Sequence, residues 1–94
     1  MTDPRKVTKV FRALSVETRV RIVQLLKERT LCVNALAMRL GVTPAAVSQH
    51  LRVLRDADLV IPDKRGYYVH YQINEKTLEA WRDLADRLLS TETE

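Results

Sequence analysis

The chain is poor in the residues that punctuate loops and in those that staple small folds: 94 residues hold two glycines, three prolines and one cysteine. A single thiol forms neither an intramolecular disulfide nor a Cys-x-x-Cys pair, so a disulfide-stapled secreted domain is excluded. No internal repeat and no low-complexity linker is visible, and residues 1–94 read as a single domain. No apolar run approaches the roughly 18–20 residues that cross a bilayer. Met1-Thr2-Asp3-Pro4-Arg5-Lys6 leads into an amphipathic pattern, not the continuous core of a signal peptide, so the expected location is the cytoplasm, with no membrane partner. Also missing are a glycine-rich phosphate loop and a nucleophile–base pair with supporting context. No catalytic residue, enzyme activity or cofactor is therefore assigned.

What is present is charge. Charged residues make up 30% of the chain and apolar residues 46%, as in a soluble folded protein. The net charge of +4 and a pI near 9.6 favour a polyanionic partner. Arg5, Lys6, Lys9, Arg12, Arg19, Arg21, Lys27 and Arg29 make the first third basic, whereas Glu75, Glu79, Asp83, Asp86, Glu92 and Glu94 make the end acidic. A chain this short buries only about 60–65% of its unfolded surface, which favours an oligomer over a marginal monomer.

The few glycines and prolines mark boundaries. Val7, Val10, Phe11 and Leu14 share one helical face, behind an Asp3-Pro4 start. Ser15 is placed to cap a second helix, with Val20, Val23, Leu26 and either Ile22 or Leu25 facing inward. A third helix spans about Val33 to Leu40, buries Leu36, Ala37 and Leu40, and ends at Gly41, which accepts the left-handed conformation. Thr43 then caps a fourth helix with Pro44 at its first position, and Val42 and Val47 stand where a hydrophobic staple would. Val47, Leu51 and Leu54 share its inner face. Ala45, Gln49 and Arg52 lie opposite, with Ala46, Ser48 and Val53 at the edges. Asp58 stands where glycine would be easiest after that helix. Leu59-Val60-Ile61 reads as a strand, and Pro62 implies an edge. After a basic turn at Lys64-Arg65-Gly66, Tyr67, Val69, Tyr71 and Ile73 alternate with Tyr68, His70 and Gln72 at strand period. A last helix runs from about Glu75 to Leu89, with Leu78, Trp81, Ala85 and Leu88 as its seam and Arg82–Asp86 and Asp83–Arg87 as i, i+4 pairs. The expected fold is mostly α with a small β-hairpin, in the order α-α-α-α-β-β-α.

Leu14-Ser15-Val16-Glu17-Thr18-Arg19-Val20-Arg21-Ile22 is close to the Leu-x-x-x-Thr-Arg-x-x-Ile of a known family. Val47-Ser48-Gln49-His50-Leu51-Arg52-Val53-Leu54 is close to its Val-Ser-x-His-Leu-x-x-Leu. Asp58-Leu59-Val60, Gly66-Tyr67-Tyr68-Val69-His70-Tyr71 and Gln72-Ile73 also fit. On these motifs the chain, from about Val7 to Leu88, resembles the ArsR/SmtB (arsenic-repressor-like) winged-helix regulators. The resemblance implies a dimeric winged helix-turn-helix that binds duplex DNA. Serine, glutamine and arginine can bond base edges, and alanine permits close approach. Thr43, Ala45, Ala46, Ser48 and Gln49 are accordingly the candidate base contacts, and Arg52 and Arg55 the phosphate contacts. His50 lies beside the buried stripe, where bonding to backbone competes with DNA contact. Lys64 and Arg65, at the expected hairpin tip, are placed to reach phosphate or minor groove. Tyr67, Tyr68 and Tyr71 read as packing residues, because duplex DNA offers no splayed bases to stack.

Many metal-sensing relatives carry a Cys-Val-Cys pair at the start of the third helix. This chain reads Leu31-Cys32-Val33-Asn34 there, with an amide in place of the second thiolate. Another family site uses Asp-x-His near the start of the last helix, where this chain has Glu75-Lys76-Thr77. A soft-metal site usually needs three or four good ligands, so no metal site is assigned. Cys32 reads as a small buried apolar residue. The resemblance further implies that the terminal helices pack against a second copy, anchored by Val7, Phe11, Leu78, Trp81 and Leu88. The expected function is a homodimeric repressor on an inverted-repeat operator, released by a small molecule or partner protein other than a metal. Two alternatives stay open: a winged-helix protein-interaction module without specific DNA readout, and a metal- or thiol-responsive repressor using Cys32.

Overall fold

The computed structural model describes residues 2–91; Met1 and residues 92–94, with Glu92 and Glu94 of the acidic tail, lie outside them. Five helices and three short strands follow one another as α1 (Pro4–Ala13), α2 (Glu17–Glu28), β1 (Leu31–Cys32), α3 (Val33–Leu40), α4 (Pro44–Asp56), β2 (Val60–Arg65), β3 (Tyr68–Ile73) and α5 (Glu75–Leu89).

The first helix starts as its sequence dictates. The Asp3 carboxylate accepts the Arg5 N–H at 2.9 Å, and Pro4 occupies the first turn. The expected Ser15 cap does not form. The Ser15 hydroxyl instead donates to the Arg12 carbonyl at 2.8 Å, and the Arg19 guanidinium reaches back to the Ala13 carbonyl at 2.7 Å. Both bonds go to carbonyls of the last turn of α1, and α2 opens at Val16 with no side-chain cap. Along α2 the buried stripe is centred on Leu26 and flanked by Ile22 and Val23. Val20 sits about 120° from Leu26 at 100° per residue, which turns it outward to solvent instead of inward.

The expected order of helices and hairpin holds, with a short third strand added between α2 and α3. Leu31 and Cys32 pair antiparallel with Tyr71 and His70, so the sheet has the order β1-β3-β2 and β2, carrying Pro62, is an edge. Two residues are too few to display strand alternation, and β1 is recruited by β3 rather than by its own pattern.

Two matching turns flank α4. After α3, Gly41 takes φ 69°, and the Val42 N–H donates to the Ala37 carbonyl at 3.2 Å. After α4, Asp58 takes φ 62°, its N–H donates to Arg55 at 2.9 Å, and the Leu59 N–H donates to Leu54 at 2.9 Å. The second is the paired bonding of a Schellman motif, built on aspartate where glycine is usual. It reverses the chain so that Leu59 enters the core fully buried and β2 departs at once.

One apolar cluster joins Val10 and Ala13 of α1, α2, α3, α4, the base of the sheet and Trp81 of α5. Ile22, Leu36, Val47, Leu51, Leu54 and Leu59 are its fully buried centre, and among the described residues no polar side chain is buried with them. The effect is to hold α4 by one face and leave the other free.

Candidate nucleic-acid interface

The free face of α4 is set by its first turn. The Thr43 hydroxyl oxygen accepts the Ala46 N–H at 3.1 Å, and Pro44 presets the helical φ. With Val47, Leu51 and Leu54 buried, Thr43, Ala45, Ser48, Gln49, Arg52 and Arg55 are exposed, and Ala46 and His50 are half-buried. Ser48, Arg52 and Arg55, with Leu51, Asp56 and Tyr71, line an open cleft of about 370 Å³ between α4 and β3. Two guanidinium groups bordering an open groove are suited to a phosphate chain. Among the described residues neither has an acidic ion-pair partner.

The wing differs from its sequence reading. Arg65 pairs with Tyr68, so the turn is the two residues Gly66-Tyr67, with Gly66 at φ 62° where a type II′ hairpin takes glycine. Lys64 and Arg65 therefore lie on β2 instead of at the tip, and strand alternation sends them to opposite faces. Lys64, opposite Val69, shares the face of Pro62 and Tyr71. Arg65, opposite Tyr68, shares the outer face with Asp63, to which its Nε–H donates at 2.9 Å. That is the one ion pair among the described residues. The anticipated Arg82–Asp86 and Asp83–Arg87 pairs do not form, since exposed pairs gain little against side-chain entropy.

The tyrosines divide. Tyr71 packs against the core, as expected. Tyr67 is fully exposed at 101% and Tyr68 is 60% exposed, so neither packs. The signal for this was available: a two-residue turn counted from Gly66 puts Tyr67 beyond the last ladder pair.

On the terminal helices, Val7 and Trp81 are already buried within one chain and Leu78 is half-buried, whereas Phe11 (42%) and Leu88 (48%) stay exposed. Leu89, which the sequence reading passed over, is more exposed still.

Cys32 is half-buried, not fully buried, at the N-cap position of α3. It stands opposite His70, whose buried Nδ1 has no hydrogen-bond partner. Among the described residues no three His, Cys, Asp or Glu side chains gather as metal ligands would, and no helix is long and apolar enough to cross a membrane.

Residues 17–61, from the start of α2 into β2, match the family model of the bacterial regulatory proteins of the arsR family. The HTH-type transcriptional regulator Rv2034 of Mycobacterium tuberculosis is 39% identical over 87 residues, covering 93% of this chain and 81% of that one. The arsenical resistance operon repressor of Escherichia coli is 38% identical over 73 residues; the match takes in 77% of this chain and only 62% of that longer protein. Among solved structures, the homodimeric winged helix-turn-helix DNA-binding domain of Mb0332 from Mycobacterium bovis superposes with a TM-score of 0.74 at 26% identity, over 96% of this chain and 87% of that one.

Proposed function

The chain belongs to the ArsR family of bacterial regulatory proteins, which are transcriptional regulators and not enzymes, and from that premise we propose that it is a homodimeric repressor of an inverted-repeat operator. The observation that carries the reading is the outer face of α4, where Ala45, Ser48 and Gln49 stand clear of the core beside the arginine-bordered cleft. Thr43, Ala45, Ala46, Ser48 and Gln49 read base edges in the major groove, with His50 at the margin. Arg52, Arg55 and Lys64 hold phosphates and set the register.

The dimer uses the apolar surface that one chain leaves uncovered on α1 and α5: Phe11, Leu88 and Leu89, with Leu78 behind them. A two-fold axis there sets two α4 helices about one DNA turn apart, which requires two inverted half-sites. Repression follows from occupying a promoter. An effector other than a metal shifts the dimer between DNA-competent and incompetent arrangements by binding one of them better. Asn34 in place of a second thiolate supports that choice, because an amide is a poor partner for a soft metal.

The test is fluorescence anisotropy on palindromic promoter fragments against shuffled duplexes over a salt series. Affinity for the operator should fall steeply with salt and exceed that for shuffled DNA by about a thousandfold or more. Equal, weak affinity for every duplex would overturn the repressor reading and leave a protein-interaction module. Zinc and cadmium should not release the operator; stoichiometric binding with release would reinstate a metal effector.

A further inference from the structure

The tip of the wing carries a side chain that its turn does not require. A II′ hairpin asks for glycine at its first central position, which Gly66 supplies, and leaves the second open. Turn chemistry selects small polar residues such as asparagine, aspartate or serine at such places. The chain instead puts Tyr67 there, wholly in solvent, with exposed Tyr68 and Val69 beside it. This makes an aromatic, apolar end to a basic wing.

The charges around that end are unequal. Arg65 is engaged by Asp63, and the Asp63 carboxylate on the same outer face repels phosphate. Lys64 has no ion-pair partner among the described residues and stands on the opposite face. That face carries Tyr71, which lines the cleft with Arg52 and Arg55. The arginines of α4, Tyr71 and Lys64 thus border one side of the sheet, next to the turn that carries Tyr67, and Arg52, Arg55 and Lys64 outnumber Asp56 there, which makes double-stranded DNA the matching occupant.

We propose that Tyr67 is the wing's DNA contact, its ring lying on deoxyribose at the groove wall and its hydroxyl donating to a phosphate, with Lys64 on a neighbouring phosphate and Arg65 on the opposite face beside Asp63. This rests on the repressor reading. Bases in a duplex stay stacked, so the ring meets the sugar–phosphate wall, and the contact sets affinity and register rather than base choice.

The experiment measures Tyr67→Ala, Tyr67→Phe and Arg65→Ala on the operator by anisotropy, with hydroxyl-radical footprinting. Because Tyr67 touches no core residue, its variants should melt at the wild-type temperature. Tyr67→Ala should weaken binding about tenfold, Tyr67→Phe about threefold and Arg65→Ala less than about twofold. The Tyr67→Ala loss should be the same when sequences flanking the half-sites are shuffled, and backbone protection should vanish at their outer edges. A wild type that selects its operator while Tyr67→Ala binds within twofold of it, or a larger loss from Arg65→Ala, would overturn the wing contact alone. A wild type that prefers no duplex overturns the repressor reading itself.

Discussion

Helix α4 and the wing offer DNA similar side chains on different terms. On α4, Arg52 and Arg55 project from a helix whose opposite face is fully buried, so their charges are positioned and free. On the wing, Arg65 is spent on Asp63, and the most accessible group is an aromatic ring. The helix owes its direction to core packing and a capped first turn. The wing owes its direction to backbone pairing on an edge strand and to one glycine. The availability of a cation thus depends on what its own element places two residues away, which a net charge cannot reveal.

The comparison can be broken most severely from the core side. Leu54→Ala removes a fully buried side chain from α4 and should cost about 2–5 kcal/mol, read from urea unfolding, while leaving every polar group of the wing intact. Next comes base choice: Gln49→Ala should relax preference at one base-pair position by about 1–3 kcal/mol. Lys64→Ala should instead weaken all duplexes alike and lower the salt slope by about one. Anisotropy on single-base operator variants separates the two. Thr43→Ala should cost about 1 kcal/mol of stability through the lost cap, with Thr43→Ser restoring most of it in the same unfolding assay. The smallest effect sharpens the contrast. The Asp63–Arg65 pair is exposed and worth at most about 1 kcal/mol, so Asp63→Asn should leave the melting temperature nearly unchanged. By freeing Arg65 it should also steepen the salt dependence of DNA binding by about one phosphate contact.

Legibility followed the same division. The limits of α3 and α4 are written in local chemistry, Gly41 after one and Thr43-Pro44 before the other, and both helices run where those residues put them. Asp58 in the left-handed region was visible for the same reason. What failed were features decided by a partner or by a small rotation. Ser15 had a choice of acceptor and took the Arg12 carbonyl. Val20 lies on the wrong side of a stripe only once Leu26 is known to be its centre. β1 exists because β3 has a free edge for it. Hairpin register is fixed by where the turn falls, and a turn at Gly66-Tyr67 instead of Lys64-Arg65-Gly66 took Lys64 and Arg65 from the tip onto opposite faces of β2 and moved Tyr67 from packing to solvent. The face of α4 was readable as a list of exposed residues. The pairing that removes Arg65 from the free cations was not, since an i, i+2 contact on a strand depends on that register.

Leu59 has a further consequence. Its N–H closes the turn at the end of α4 by donating to Leu54, and its carbonyl accepts the Asn74 N–H at 2.8 Å, immediately before α5 begins. The backbone of a single residue thus laces the exit of one helix to the start of another. Fraying of α5 from its first turn unties the carbonyl side, and loosening of α4 unties the amide side, so the two ends open as one unit. In hydrogen–deuterium exchange the Leu59 and Asn74 amides should share one opening free energy, well above that of the hairpin tip.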